Sequence, residues 1–381
     1  MTRRSRPTTG LRKPRPPDGL LLVSIFALVG IGLIMVFSAS SYTAQVWFGD
    51  SFYFLRRQAV WVFFSTLLLV VTQYVHYGIY RRYARVLLVV GMGLLALTLI
   101  PGIGVVARGS QRAFALGPIF ISPAELIKLC LVIYLAHGFC RVPGKSRQFG
   151  QGVLPYLVII VAIAAMVMLQ PDLGTAVMIL GVGFLLIFAA GAPLLHLLGL
   201  GILSLPVVYS LVIREPYRLR RLVAFLDPWA DPLDTGFHSI QSLYALGSGR
   251  LFGLGFGASR QKYLYLPEQH TDFIFAVLGE ELGLIGAGVV ILLFAVLLWR
   301  GLDIAARAPD TFGSLLATGI TLMIVLQAVI NIGVVTSVLP VTGIPLPLIS
   351  YGGSSLMVSM IALGILLNIS RHARVFSKTG D

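Results

Sequence analysis

The segment that decides the fold spans residues 263–286 and reads YLYLPEQHTDFIFAVLGEELGLIG. Its polar part, Glu268 to Asp272, leads directly into an apolar run that continues to Trp299. About 20 apolar residues cross the ~30 Å hydrocarbon layer of a bilayer, so this run predicts a transmembrane helix. Pro267 would end any preceding helix, and Thr271 or Asp272 is a candidate N-cap for the new one.

Asp272 would then lie where the helix N-terminus meets the aqueous boundary of the membrane. The simplest interpretation is that it only caps the helix. Glu280 and Glu281 weaken that interpretation, because an intramembrane carboxylate is costly and is usually buried against a partner or a wet cavity. At ~1.5 Å per residue, Glu280 would lie about 12 Å below Asp272. The sequence therefore predicts a functional polar site at this end of the helix.

Composition extends the membrane interpretation to the whole chain. Of its 381 residues 57% are hydrophobic and only 12% are charged, whereas soluble domains carry about 25% charged residues. The positive-inside rule and anionic lipid headgroups explain the net charge of +14, and no nucleic-acid motif or nucleic-acid partner is indicated. Cys130 and Cys140 lack the spacing of a disulfide framework or a zinc site.

Ten apolar segments predict an all-α, polytopic integral membrane protein with about ten transmembrane helices. They cover approximately residues 20–38, 58–75, 86–100, 123–139, 153–169, 174–190, 194–213, 273–299, 314–336 and 355–370. With both termini inside, the tails and inner loops hold 17 Lys or Arg, and the outer loops other than the longest hold four. This bias predicts cytoplasmic termini.

The predicted domain organisation is a single transmembrane domain over 19–371. It is flanked by a basic, disordered cytoplasmic tail, 1–18, and a second tail, 372–381. A long extracytoplasmic loop, 214–272, separates spans seven and eight. Residues 339–354 are apolar but broken by three prolines, so they predict a re-entrant outer loop that is covered by protein.

The 214–272 loop breaks the charge rule, since it lies outside and carries seven cations: Arg214, Arg218, Arg220, Arg221, Arg250, Arg260 and Lys262. A cationic surface for a phosphorylated substrate and contact with anionic headgroups are alternative explanations. A short amphipathic helix lying on the membrane is predicted from Ile240, Leu243, Tyr244 and Leu246. The segment 247–257 is rich in glycine, but no strand precedes it, so it is not a dinucleotide-binding fingerprint. We expect its flexible backbone to pack closely against a ligand or a neighbouring helix.

Two further polar pairs could carry function or only structure. Glu125 and Lys128 are three residues apart and share a helix face, so they form either a neutral structural pair or part of a cavity beneath Asp272. Asp172 lies in a tight outer turn, where capping of the next span is the simpler explanation.

Five stretches resemble the SEDS family (shape, elongation, division and sporulation proteins). They are PEQHTDFIFA with EELG (267–276 and 280–283), SPAELIK (122–128), GSQRAFALG (109–117), QPDLG (170–174) and LPVTGIPLPLISYGGSS (339–355). Ala124 and Ala113 replace the family's usual serine and tryptophan. Residues 227–232 and 259–262 look like the division and sporulation branch (FtsW and SpoVE) more than the elongation branch (RodA). Asp234 and Arg250 stand where glycine is usual.

The resemblance implies a peptidoglycan glycosyltransferase in the bacterial cytoplasmic (inner) membrane. Its substrate would be lipid II, an undecaprenyl-diphosphate-linked disaccharide peptide, and its partners a class B penicillin-binding protein and other division proteins. A lipid II flippase and a non-catalytic scaffold of the division complex are the alternatives. Asp272 is the candidate general base and a possible ligand of a divalent cation, Mg²⁺ or Mn²⁺. The substrate-binding or cavity-lining candidates are Glu125, Lys128, Arg112, Asp172, Arg260, Lys262, His270, Glu268 and Glu280.

Overall fold

The computed structural model describes residues 15–100, 104–107, 110–116, 119–141, 144, 147–213, 216–262 and 266–373. Twelve α-helices lie in these ranges. They are α1 (Gly19–Phe48), α2 (Tyr53–Tyr74), α3 (Gly78–Leu97), α4 (Pro123–Cys140), α5 (Leu154–Met168), α6 (Leu173–Ala189), α7 (Leu194–Ile213), α8 (Pro216–Leu226), α9 (Phe237–Gly249), α10 (Ile274–Ala306), α11 (Thr311–Val335) and α12 (Gly353–His372).

Each of the ten predicted spans overlaps one of these helices, namely α1 to α7 and α10 to α12. Within the described ranges seven helices are long and apolar enough to cross a membrane: α1, α2, α4, α5 with the π-turn before it, α10, α11 and α12. Helix α6 and the Leu194–Leu203 part of α7 are shorter and apolar. The all-α, polytopic architecture is confirmed, and the count of ten crossings stays a prediction.

A small antiparallel sheet was not predicted. Its strands are β1 (Val105–Ala107), β2 (Ser110–Leu116) and β3 (Ile119–Ile121), in that order. Strands β1 and β3 have three residues each, which is too short to give a period-two pattern in the sequence. Ser354 fastens this sheet to the start of α12, because its hydroxyl donates to Phe120 O and accepts from Ser122 N.

The bundle is built around α12, which packs against α2, α4, α10 and α11. Large apolar side chains of α12, including Leu356, Met360, Leu363 and Leu367, are at most 2% exposed. Helix α2 leaves Phe63, Leu67 and Val71 exposed instead. A helix with an apolar outer face at the edge of a bundle is expected to face lipid rather than water.

Both described ends of the chain lie together at one end of the bundle. Arg15 N donates to Arg371 O at 3.1 Å. Asp18 caps α1 by accepting from Leu21 N at 2.9 Å, and it also pairs with Arg300. These bonds connect Arg15 and Asp18, from the last part of the predicted tail, to the bundle. Residues 1–14 and 374–381 lie outside the described ranges.

Helix α10 is broken at Gly283, whose φ of 67° and ψ of −166° are not helical. The glycine-rich segment occupies the break: Leu254 N donates to Glu280 O at 3.0 Å, and Leu284 N donates to Arg250 O at 2.9 Å. These bonds replace helical hydrogen bonds lost at the break. The expectation of close packing against a neighbouring helix is confirmed. The predicted span over 273–299 corresponds to α10, and the break at Gly283 is a feature of that span that was not predicted.

Helix α9 exists as predicted, and it packs against α10 mainly through small residues that were not part of the face predicted to lie on the membrane. The predicted face included Leu243 and Tyr244, which are 37% and 51% exposed. The buried residues of α9 are Ser239, Ile240, Ser242, Ala245 and Gly249. Small side chains let the two backbones approach closely, which a pattern of large apolar residues does not indicate. Helix α8, Pro216–Leu226, was not predicted.

Candidate functional site

Asp272 lies directly before the N-cap of α10, which is Phe273. Neither Thr271 nor Asp272 occupies the cap position, so that expectation is wrong. Asp272 is only 9% exposed. Gly343 lies beside its carboxylate, since a Cβ added to this glycine would be 3.6 Å from Asp272 Oδ2. Gly343 has a φ of 73°, which lies in the left-handed region that favours glycine. Because glycine has no side chain, nothing covers the carboxylate from this position.

The main chain around Asp272 is held by hydrogen bonds from distant parts of the sequence. Asn331 Nδ2 donates to Asp272 O at 2.7 Å, and Ser350 Oγ donates to Thr271 O at 2.6 Å. Tyr351 N donates to His270 O at 3.0 Å. The peptides that carry Asp272 are therefore fixed from α11 and from the segment before α12.

That segment, residues 339–352, is not helical, yet Ile344, Leu346 and Ile349 are at most 4% exposed. Two amide side chains one turn apart on α11 satisfy its carbonyl groups. Gln327 Nε2 donates to Pro345 O at 3.0 Å, and Asn331 Nδ2 donates to Ile344 O at 2.8 Å. Apolar, non-helical backbone can stay buried only if such groups are paired.

Glu125 and Lys128 form an ion pair on α4, with Lys128 Nζ 3.0 Å from Glu125 Oε2. Lys128 Nζ also donates to Gln327 Oε1 at 2.8 Å. Gln327 therefore joins this pair to the 339–352 segment, while Asn331 joins the same segment to Asp272. The structure thus links Lys128 to Asp272, which are 144 positions apart in the sequence.

Glu280 and Glu281 bind the chain that follows the glycine-rich segment. Glu280 accepts from Ser259 Oγ and, at 2.9 Å, from Arg260 N. Glu281 accepts from Ser38 Oγ at 2.6 Å and pairs with Lys262 Nζ at 3.5 Å. Both carboxylates are at most 1% exposed. Each costly buried charge therefore has partners, as an intramembrane position requires.

The remaining candidates are more dispersed. Asp172 caps α6, as the simpler interpretation expected, by accepting from Thr175 N at 3.0 Å. The His270 ring lies 4.6 Å from that of Phe54. Glu268 is exposed, and its carboxylate accepts from Thr271 Oγ1 at 2.7 Å. Arg260 is exposed. Arg112 belongs to β2, but its side chain is outside the described part of the structure.

Asn331, Gln327, Ser350 and His238 were not among the sequence candidates. Gln327 and Asn331 could have been found, since two amides spaced by four residues in an apolar helix share a face. Ser350 gives no such signal.

His238 stacks on Phe273, the residue after Asp272, with ring centroids 5.7 Å apart. It lies on α9, in the predicted outer loop. Burial lowers the pKa of His238, and the positive charge of Arg221 lowers it further, while Glu268 acts in the opposite direction.

A metal site made only of protein ligands is not found among the described residues, which contain no cluster of three or more His, Cys, Asp or Glu suited to a metal ion. A cation at Asp272 would need further ligands from substrate and water, which is how Mg²⁺ is commonly held.

The fold and site define a multi-pass membrane protein with a buried aspartate at the start of a broken helix. Residues 19–375 match the family model described as cell cycle protein, which covers FtsW, RodA and SpoVE. The chain belongs to this FtsW/RodA/SpoVE family, the SEDS proteins, as the resemblance implied.

Two relatives cover almost the whole chain. Stage V sporulation protein E of Bacillus subtilis is 46% identical over 95% of this chain and 99% of its own length. A probable peptidoglycan glycosyltransferase FtsW of Trichlorobacter lovleyi is 43% identical over 97% of this chain and 98% of its own.

Two solved structures are similar. One is a chain from a peptidoglycan synthase complex that coordinates polymerisation and crosslinking, with a TM-score of 0.77 and 30% identity over 93% of this chain and 98% of that one. The other is the rod shape determining protein RodA of Thermus thermophilus, with a TM-score of 0.69 and 28% identity over 93% of this chain and 97% of that one.

Proposed function

We propose that this protein is a peptidoglycan glycosyltransferase that polymerises lipid II during cell division or sporulation. The observation that carries the proposal is the arrangement at Asp272, whose side chain is buried. Asn331 and Ser350 hold the main-chain carbonyl groups of Asp272 and Thr271, respectively. Full-length similarity to proteins named peptidoglycan glycosyltransferase supports the same activity.

In the proposed reaction, the 4-hydroxyl of one lipid-linked disaccharide attacks the anomeric carbon of another. The bond from that carbon to the diphosphate oxygen breaks, undecaprenyl diphosphate leaves, and the anomeric configuration inverts. Asp272 accepts the proton of the attacking hydroxyl, a general-base role typically worth ~10²–10⁴-fold in rate. Its fixed main chain keeps the carboxylate oriented before substrate arrives.

The leaving diphosphate requires positive charge. Arg221 of α8 is our choice among the loop cations, since its Nη1 donates to Val341 O at 3.0 Å, two residues from Gly343. Lys262 is 4% exposed and paired with Glu281. We therefore assign Lys262 a structural role and Arg221 the role of contacting the diphosphate.

A divalent cation, Mg²⁺ or Mn²⁺, is a further part of the proposal. Asp272 would supply one ligand, and diphosphate oxygens and water the others. When bound, the cation would neutralise charge on the leaving group. EDTA should abolish turnover and added Mn²⁺ should restore it; full turnover in EDTA would remove the cation from the proposal.

We place the protein in the bacterial cytoplasmic membrane, with both termini in the cytoplasm and the Asp272 site on the outer face. A class B penicillin-binding protein is the proposed partner, together with other division proteins. The asymmetry of Lys and Arg between the loops supports the orientation. The similar chain within a peptidoglycan synthase complex supports a crosslinking partner.

Purified protein in liposomes, with labelled lipid II on one face and with or without the partner, tests the proposal. Glycan strands should form with the wild type and be lost with Asp272→Asn. Asp310→Asn is the matched control, because Asp310 caps α11 and contacts Tyr77. Translocation without polymer would favour a flippase, and neither activity would favour a scaffold.

A further inference from the structure

We propose that Asn331 is a positioning residue for Asp272. Its side-chain amide ties the peptide that carries Asp272 to the 339–352 segment and so fixes the carboxylate relative to Gly343. This inference rests on the proposed function, because it assigns Asn331 a part in proton acceptance by Asp272.

The orientation of the Asn331 amide follows from its partners. Nδ2 lies 2.7 Å from Asp272 O and 2.8 Å from Ile344 O, and both are carbonyl oxygens that can only accept. The NH₂ group must face them, since it alone can donate. Asn331 is 1% exposed, and its Oδ1 is buried with no hydrogen-bond partner in the described part of the chain.

The adjacent amide separates positioning from simple support. Gln327 also holds the 339–352 segment, through Pro345 O, but its other end contacts Lys128. Of these two α11 amides, Asn331 is the one that bonds to the residue carrying the carboxylate. Loss of Asn331 would leave the segment attached through Gln327 and would remove the hydrogen bond from Asn331 to the Asp272 peptide.

A general base must lie within hydrogen-bond reach of the proton that it removes. Misplacement of a reacting group by about 1 Å can cost ~10²-fold in rate. We therefore expect Asn331→Leu, which is similar in size but has no donor, to lower kcat about 100-fold. The KM for lipid II should stay within about threefold, because the substrate contacts remain in place.

The matched control is Asn368→Leu. Asn368 is also 1% exposed, and it also bridges two main-chain groups, donating to Gln73 O at 2.8 Å and accepting from Tyr77 N at 2.9 Å. It lies four residues before His372, near the end of the bundle where both described ends of the chain lie. Its loss should lower the melting temperature to a similar extent and leave kcat per folded molecule within about twofold.

Both variants are assayed for polymerisation by the full-length protein with its partner, after quantification of the folded fraction. A large loss of kcat in Asn331→Leu alone is the expected result. Equal kcat in the two variants would overturn the inference. If Asn331→Leu does not fold, Asn331→Ser, which keeps one donor, takes its place, and its kcat should be about tenfold lower than that of the wild type. A wild-type kcat in Asn331→Ser would also overturn the inference. An inactive wild type would instead refute the proposed function.

Discussion

Lys262 Nζ lies 3.5 Å from Oε1 of Glu281, and both side chains are buried. This relationship changes the role expected for the lysine, which was a candidate for substrate binding. A cation from the loop predicted to lie on the outer face is buried inside the protein, where it helps to hold the chain after the glycine-rich segment against the broken helix α10. We therefore expect the Lys262–Glu281 pair to contribute mainly to the stability of the folded protein.

Lys262→Ala should lower the free energy of unfolding by about 3 kcal/mol, because it leaves the Glu281 carboxylate buried without its cation. The double variant Lys262→Ala with Glu281→Gln should recover part of that loss, since the charge is then removed. Thermal melts of the purified protein measure both. Arg260→Ala is the control, because Arg260 is exposed and should change stability by less than about 0.5 kcal/mol. A double variant less stable than the single one would contradict the paired role.

The Glu125–Lys128 pair should behave in the same way. Lys128→Ala should express and melt worse than the double variant Glu125→Ala with Lys128→Ala, because only the single change leaves the Glu125 carboxylate, whose side chain is 14% exposed, without its cation. Gln327 Oε1 also loses its donor in both variants, so that cost cancels in the comparison. Melting temperatures in the opposite order would show that the pair does not act as a neutral unit.

Gly253 and Gly255 both have left-handed backbone, with φ of 83° and 103°. They differ in what a side chain would meet: a Cβ on Gly253 would lie 2.1 Å from Glu281 O, whereas Gly255 has nothing within 4 Å. Gly255→Ala should cost about 1–2 kcal/mol, the strain of that conformation. Gly253→Ala should lower the free energy of unfolding clearly more, because the added Cβ would also force the glycine-rich segment out of the break in α10. Equal melting temperatures would contradict this docking. Substitution of Gly253 therefore tests how the glycine-rich segment packs against α10.

His238 should make stability sensitive to acid. Its folded-state pKa is lowered, first by burial and then by Arg221, so the unfolded chain binds the proton more tightly. Stability contributed by neutral His238 is complete above the unfolded pKa of about 6.5 and is lost as the pH falls below it. His238→Gln should therefore show a smaller drop in melting temperature between pH 7.5 and 5.5 than the wild type. The same drop in both proteins would exclude His238 as the source.

Much of the site could be predicted from single stretches of sequence. Asp272, Glu280 and Glu281 are costly charges at the start of an apolar run, and Glu125 and Lys128 share a helix face by their spacing alone. Long apolar runs also predicted the helices. The break at Gly283 could not be predicted, because glycine in a membrane helix is common and its neighbours are helix-compatible.

The sequence by itself determined that the chain is an all-α membrane protein and that polar groups concentrate before α10, since hydropathy and the cost of buried charge are local properties. Tertiary structure alone decided which of those groups meet. Lys262 pairs with Glu281, Asn331 holds Asp272, and Gln327 joins Lys128 to Pro345, because partners 18 to 199 positions apart become neighbours only when the helices pack. Buried polar groups must be paired wherever the fold brings a partner, and that choice is a property of the packed bundle.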